Sequence, residues 1–179
     1  MNTGSEQALQ HGEETIYINN PGIIIVWPFL PAYFERLGLM HTGAFNGVQE
    51  QVRAACLLQF LVTGREEMTN EQLVLNKLLC GIPHETRIDV PVNISTDERN
   101  LSDEMLQAVI KNWTVMKNTS ITALRETFFQ RQGKLVYAEN RNQLSVERKT
   151  IDVLLDQVPW SISIIKLPWM ERVLHVDWR

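Results

Sequence analysis

The hydrophobic pattern changes period part-way along the chain. From Gly47 to Thr63 it is helical: Val48, Val52, Ala55 and Cys56 keep one face, and Leu57 to Val62 are apolar nearly all round. A helix apolar on every face is a buried one, and Gly64 supplies its stop. Thr69-Asn-Glu-Gln72 has the form of a capping box and opens a second helix through Leu73, Val74, Leu78 and Leu79, which Gly81 and Pro83 end. The two helices are expected to pair as an antiparallel hairpin at the centre of the core. Ser95-Thr-Asp-Glu98 is a second box-like signal. Ser102, followed by Asp103 and Glu104, reads as a third start, because acids in a first turn favour the helix dipole. The face that follows carries Leu106, Val109, Ile110, Trp113 and Met116. Asn118-Thr-Ser120 breaks and recaps the chain. The next helix presents Ile121, Leu124 and Phe128 and is expected to end at Gly133.

From Lys134 the period falls to two, the signature of half-buried strands. Leu135 and Tyr137 alternate with Val136 and Ala138, Asn140-Arg-Asn142 turns, and Leu144 and Val146 alternate with Ser145 and Glu147. Ser161-Ile-Ser-Ile164 and Leu174-Val176-Trp178 repeat the alternation. Pro159 and Pro168 each precede a tryptophan, at places where a missing N–H harms a ladder least. Helices first and strands last predict an α+β fold. The expected architecture is a short-helix bundle of about five helices over 20–133, followed by a small C-terminal antiparallel sheet over 134–179, in one domain spanning 15–179. The polar residues 1–14 are expected to be disordered. Ile23 to Val26 fits a helix opened by Asn20-Pro21 or a buried strand, and a run of four cannot decide between them. His84 to Ile94 reads as a loop or an edge strand.

Composition narrows the function classes. The chain has 179 residues, 44 % hydrophobic and 21 % charged, enough for a real core without staples. A net charge of −4 lacks the basic signature of a nucleic-acid binder. Residues 1–14 contain no apolar leader. The most apolar stretch, Ile23 to Phe34, is broken by Pro28 and Pro31 and falls short of the roughly 20 residues of a membrane span. A soluble protein made in the cytoplasm is expected, with Cys56 and Cys80 as buried thiols. The Asn93, Asn112 and Asn118 glycosylation triplets are read as chance matches.

Candidate chemistry is sparse. His11, His41, His84 and His175 are scattered, with no HxxxH or CxxC spacing, and His175 with Asp177 reads as an exposed polar pair. No nucleophile elbow, P-loop or dinucleotide fingerprint occurs. No catalytic, cofactor-binding or metal-binding residue is therefore assigned, and no cofactor is expected. Glu147, Asp152 and Asp156 lie near Arg148 and Lys149 and read as an ion-paired face. The tryptophans, Trp27, Trp113, Trp160, Trp169 and Trp178, suit a core or a stacking platform. Tryptophan is also enriched among interface hot spots, so Pro159, Trp160, Pro168, Trp169 and Trp178 are taken as the candidate partner-contact block.

A series of blocks in fixed order carries a resemblance. It begins Ile18-Asn-Asn-Pro-Gly-Ile-Ile, Trp27-Pro-Phe-Leu-Pro31 and Phe34-Glu-Arg-Leu-Gly-Leu39. It continues with the segment Arg53 to Gly64, Leu75-Asn-Lys-Leu-Leu-Cys-Gly-Ile-Pro83 and Leu124 to Lys134. It ends with Val146-Glu-Arg-Lys149, Asp152-Val-Leu-Leu, Pro159-Trp160 and Leu167-Pro-Trp-Met170. Together these blocks span residues 16–178. The chain resembles the conserved domain of contractile injection system tape measure proteins, from phage-tail-like particles of the antifeeding and virulence-cassette type. The resemblance implies a non-enzymatic assembly part that sets the length of the inner tube and works with tube, baseplate or cap subunits. It implies assembly in the cytoplasm, no membrane span, and later release within an extracellular particle; homo-oligomerisation is left open. Rulers of this family are usually longer chains. A helix advances about 1.5 Å per residue, whereas a compact domain of this length has a radius of gyration near ~16 Å. The expectation is either a short member or the conserved domain without its ruler segment, anchoring one end of the tube. Two other readings stay open: a small-molecule-binding or hydrolytic enzyme domain whose site forms only in three dimensions, and a cargo effector.

Overall fold

The computed structural model describes residues 12–178. The expectation for the first residues falls mostly outside that range, but Glu14 already belongs to a strand, β1 (Glu14–Ile18). The chain then enters a 3-10 helix, Pro21–Phe29, whose Ile23, Ile24, Ile25 and Val26 are all fully buried. That settles the ambiguous run as helical. Its apolar character on every side follows from its place between the sheet and the helices. Pro21 opens it at a position where no donor is lost. Gly22 is required there: a Cβ on it would lie 1.6 Å from the Phe128 carbonyl oxygen.

Helix α1 (Leu30–Arg36) follows and ends on Gly38, φ +74°. Gly38 N–H donates to Glu35 O and Leu39 N–H to Phe34 O, the paired bonds of a Schellman stop. Two short strands, β2 (Met40–His41) and β3 (Ala44–Phe45), form a ribbon between α1 and α2 (Val48–Thr63). Gly64 ends α2 in the left-handed conformation. The Thr69–Gln72 capping box is present; it opens a 3-10 turn, Asn70–Leu73, that runs into α3 (Val74–Leu79). Helices α2 and α3 pack together in the core as expected. Residues 82–95 form an irregular loop containing a cis Val90–Pro91 bond.

The Ser95–Glu98 box opens α4 (Thr96–Asn112). Ser102 does not start a helix. It sits buried inside α4, where its hydroxyl donates to Glu98 O at 2.6 Å and meets the Tyr33 hydroxyl at 2.6 Å. After a 3-10 turn, Thr114–Met116, Ser120 caps α5 (Ile121–Leu124). This helix widens into a π turn, Arg125–Phe129, and ends there rather than at Gly133. The π turn serves α2: Arg125 Nε donates to Leu61 O at 2.8 Å and Gln130 Nε2 to Val62 O at 3.0 Å. Those carbonyls belong to the last turn of α2 and have no helical partner.

Gly133 instead begins β4 (Gly133–Tyr137), which turns into β5 (Asn142–Val146) as the pattern predicts. Among the described residues five strands form one sheet, ordered β1-β4-β5-β7-β6, with β6 at Ile164–Ile165 and β7 at Leu174–Asp177. The α+β class holds, but the sheet is neither purely C-terminal nor purely antiparallel. β1 lies against β4, with Ile16 opposite Leu135, and β5 runs parallel to β7, with Leu144 opposite Val176. A parallel pair needs a long crossover, and residues 147–173 supply it through a 3-10 helix, Thr150–Gln157. Ser161 to Ser163 precede β6 and are not strand.

Candidate functional site

The C-terminal block is bound into the fold by its indoles. Trp27 Nε1 donates to Ser161 O and Trp160 Nε1 donates back to Ile25 O, each at 2.8 Å. The segment after the 3-10 crossover is thereby laced to the buried helix near the N-terminus. Trp169 Nε1 donates to Leu79 O at 2.7 Å, and its ring packs against Phe34 and Phe45 at 5.9 and 5.1 Å. Trp160 meets Phe29 edge-on at 5.2 Å. Trp113 donates to Leu154 O at 3.0 Å. Each half-buried or buried indole thus finds the acceptor that such a group needs.

Of the predicted contact block, Pro159 and Pro168 are exposed, and Trp160 and Trp169 are half-buried. Trp178 is only 2 % exposed. Its Nε1 donates to Asp152 Oδ2 at 3.1 Å. That bond belongs to a cluster the sequence did not reveal. Arg131 meets Asp152 through two guanidinium nitrogens, Nη2 to Oδ1 at 2.5 Å and Nη1 to Oδ2 at 3.1 Å. Arg131 also donates to Thr127 O and Glu147 O, and its guanidinium lies over the Phe128 and Trp178 rings. Lys149 N–H completes the carboxylate's shell at 2.9 Å. Burial acts to raise the Asp152 carboxyl, but the bonds from Arg131, Lys149 and Trp178 outweigh it and leave it below the usual range.

A second buried polar cluster joins the helices. Asn20 Nδ2 reaches Gln59 Oε1, Gln72 O and Asn76 Oδ1 at 2.9, 3.0 and 2.8 Å. Asn76 Nδ2 donates to Ala55 O at 3.0 Å. The only sequence signal for this cluster was Gln59 inside an otherwise apolar run.

The remaining displaced carboxylates are also engaged. Glu98 is drawn to the nearby charge: burial acts to raise it, while Arg53 and the Ser95 N–H pull it below its ordinary value. Ile94 N–H and then Arg99 lower Glu66. A lowered carboxyl is held as an anion, the opposite of what a general acid needs. Among the described residues no group of three or more His, Cys, Asp or Glu could hold a metal ion. His175 and Asp177 lie on β7, and Asp177 pairs with Arg148 at 2.8 Å rather than with the histidine. Cys56 and Cys80 are free and buried. No described helix is long and apolar enough to cross a membrane.

The α+β scaffold is laced by indole and guanidinium bonds, and its Asp152, Glu98 and Glu66 carboxylates are committed to ion pairs. The family model for contractile injection system tape measure proteins matches residues 2–178, and the chain belongs to that family. No curated protein and no solved structure matches the chain.

Proposed function

We propose that the chain is a non-enzymatic assembly protein of a contractile injection particle, acting in tube length control or in anchoring one end of the tube. The family match over nearly the whole chain carries this reading. The fold favours anchoring over measuring. The longest described helix, α4, has 17 residues, or about 25 Å at 1.5 Å per residue. The partners are tube, baseplate or cap subunits, met in the cytoplasm during assembly. Pro159 and Pro168, with the exposed edges of Trp160 and Trp169, form the contact, and Trp178, buried against Asp152 and Arg131, anchors the 3-10 crossover that leads to it.

Deleting the chain and measuring tube lengths by electron microscopy tests the reading. Missing particles, or tubes of scattered length, are expected; normal particles of normal length overturn it. The contact is tested by Pro159→Arg and Pro168→Arg. They are expected to weaken co-purification of the tagged chain with the particle at unchanged thermal stability, and undiminished co-purification removes that surface from the proposal.

A further inference from the structure

A polar cleft of about 530 Å³ opens between the end of α2, the π turn and the start of β4. That size lies within the range of about 300–1,000 Å³ typical of ligand sites. Four glutamines, Gln59, Gln72, Gln130 and Gln132, line it together with Thr63. Gln59 is its buried floor, 1 % exposed. The orientation of the Gln59 amide is fixed by backbone groups. Asn20 Nδ2 must face Gln72 O and Asn76 Nδ2 must face Ala55 O, so both turn donors toward Gln59, which answers with Oε1. Gln59 Nε2 therefore points the other way. It makes no hydrogen bond with the described residues, and it is not among the sealed, unpaired atoms, which are Asn20 Oδ1, His84 Nδ1, Arg125 Nη2 and Asn142 Oδ1. It is a fixed donor facing the cleft.

The charges balance once Arg131, which also lines the cleft, is set against its partner Asp152: Arg65 and Lys149 then face Glu126 and Glu147, with Lys149 and Glu147 paired at 3.4 Å. Among the described residues no aromatic ring lines the cleft, so they offer no stacking plane of the kind nucleotide bases use. Amides that both donate and accept, an isolated buried donor and a balanced rim suit a neutral polar chain. One wall is a π turn, a distortion frequent at functional sites.

We propose that this cleft receives an extended, uncharged polar segment of a particle subunit, with a carbonyl oxygen of that segment accepting from Gln59 Nε2. The proposal rests on the assembly reading above. It names a surface distinct from the proline–tryptophan block.

The test uses the full chain in assembling particles. A photo-cross-linking residue is placed at Gln132 on the cleft rim and, as a control, at exposed Gln107 on α4. Adducts are sequenced, and a synthetic peptide of the cross-linked segment is titrated onto the free chain. Expected is one polar segment of one particle subunit captured at position 132 and not at 107. Its peptide should bind at least tenfold more weakly to Gln132→Trp, which covers the cleft, and to Gln59→Glu above neutral pH, which keeps the acceptor for Asn20 and loses the outward donor. Gln107→Trp should bind normally, and circular dichroism confirms that each variant is folded. No adduct at 132 beyond the control, or peptide binding unaffected by Gln132→Trp, overturns the cleft proposal. Tube lengths in the deletion strain are read separately, so abnormal tubes without a cleft adduct sink the cleft and leave the assembly role standing.

Discussion

Arg131 and Asp152 form a two-point ion pair whose side chains are 0 % and 1 % exposed. It joins the residue just after the π turn to the 3-10 crossover, and Trp178 closes it from the end of β7. Removing one partner leaves the other charge buried and unmatched, which costs about 3–5 kcal/mol. Asp152→Ala and Arg131→Ala should each lower unfolding stability by that amount in urea titrations. A double change to Arg131→Met and Asp152→Leu should recover most of the loss, because two apolar groups leave no stranded charge.

The same pair sets an acid limit. Asp152 is lowered in the fold against about 3.9 in an unfolded chain. A lowered carboxyl contributes stability that is fully present above its unfolded pKa and is lost as pH falls through the folded one. Glu98 and Glu66 shift in the same direction. Stability should therefore hold from neutrality to about pH 5 and fall below about pH 4. Asp152→Asn should flatten part of that fall. An unchanged acid limb in that variant would assign the limb to other carboxylates.

Trp27 donates to Ser161 O and Trp160 donates to Ile25 O, so each indole bonds a carbonyl near the other across more than 130 residues of chain. Trp160→Phe keeps a ring against Phe29 and loses the bond to Ile25 O, so a loss of about 1 kcal/mol is expected. Trp160→Ala also loses the packing and should cost about 3 kcal/mol. Chemical denaturation of the two variants separates bond from ring. It also decides how any assembly defect of Trp160→Ala is to be read, since the proline variants leave this lacing in place.

Legibility followed the range of the interaction. The Thr69 and Ser95 boxes and the Gly64 and Gly81 stops were visible because each is settled within a few residues. The β4–β5 hairpin was visible for the same reason. β1 was not assigned: Ile16 and Ile18 complete too few periods, and their partner strand lies over a hundred residues away. The parallel β5–β7 pair was equally hidden, because alternation says nothing of direction. Ser102 misled because a serine before two acids has the composition of a helix start, while its hydroxyl in fact binds back onto Glu98 O within α4. In the candidate site, the tryptophans were legible as a group, but not the carbonyls they bind. Asp152 reads as part of an ion-paired face with Arg148 and Lys149, and Asn20 as a helix opener; their buried partners Arg131 and Asn76 carried no local signal, since they come from separate elements.

Gly22 and Gly38 should respond differently to the same methyl group. At Gly38 a Cβ meets nothing within 4 Å, and the cost is that of the left-handed backbone, about 1–2 kcal/mol. At Gly22 it meets the Phe128 backbone at 1.6 Å, and the π turn would have to move. Gly22→Ala should lose about 3 kcal/mol or more and Gly38→Ala clearly less. Equal melting shifts for the two would mean that the buried 3-10 helix has room to slide away from the π turn.

Cys56 and Cys80 offer a readout of the core itself. Burial pushes the Cys56 thiol up to about 11, only partly offset by Arg53, and burial also pushes Cys80 well above its ordinary value, with Cys56 adding to it. The thiolate is the reactive form, so at pH 8 the folded chain should react with a thiol reagent far more slowly than free cysteine. Adding denaturant should release two reactive thiols per chain in one step, at the midpoint seen by circular dichroism. Fast labelling of one thiol in native buffer would show that α2 or the end of α3 opens locally, well below the global unfolding free energy.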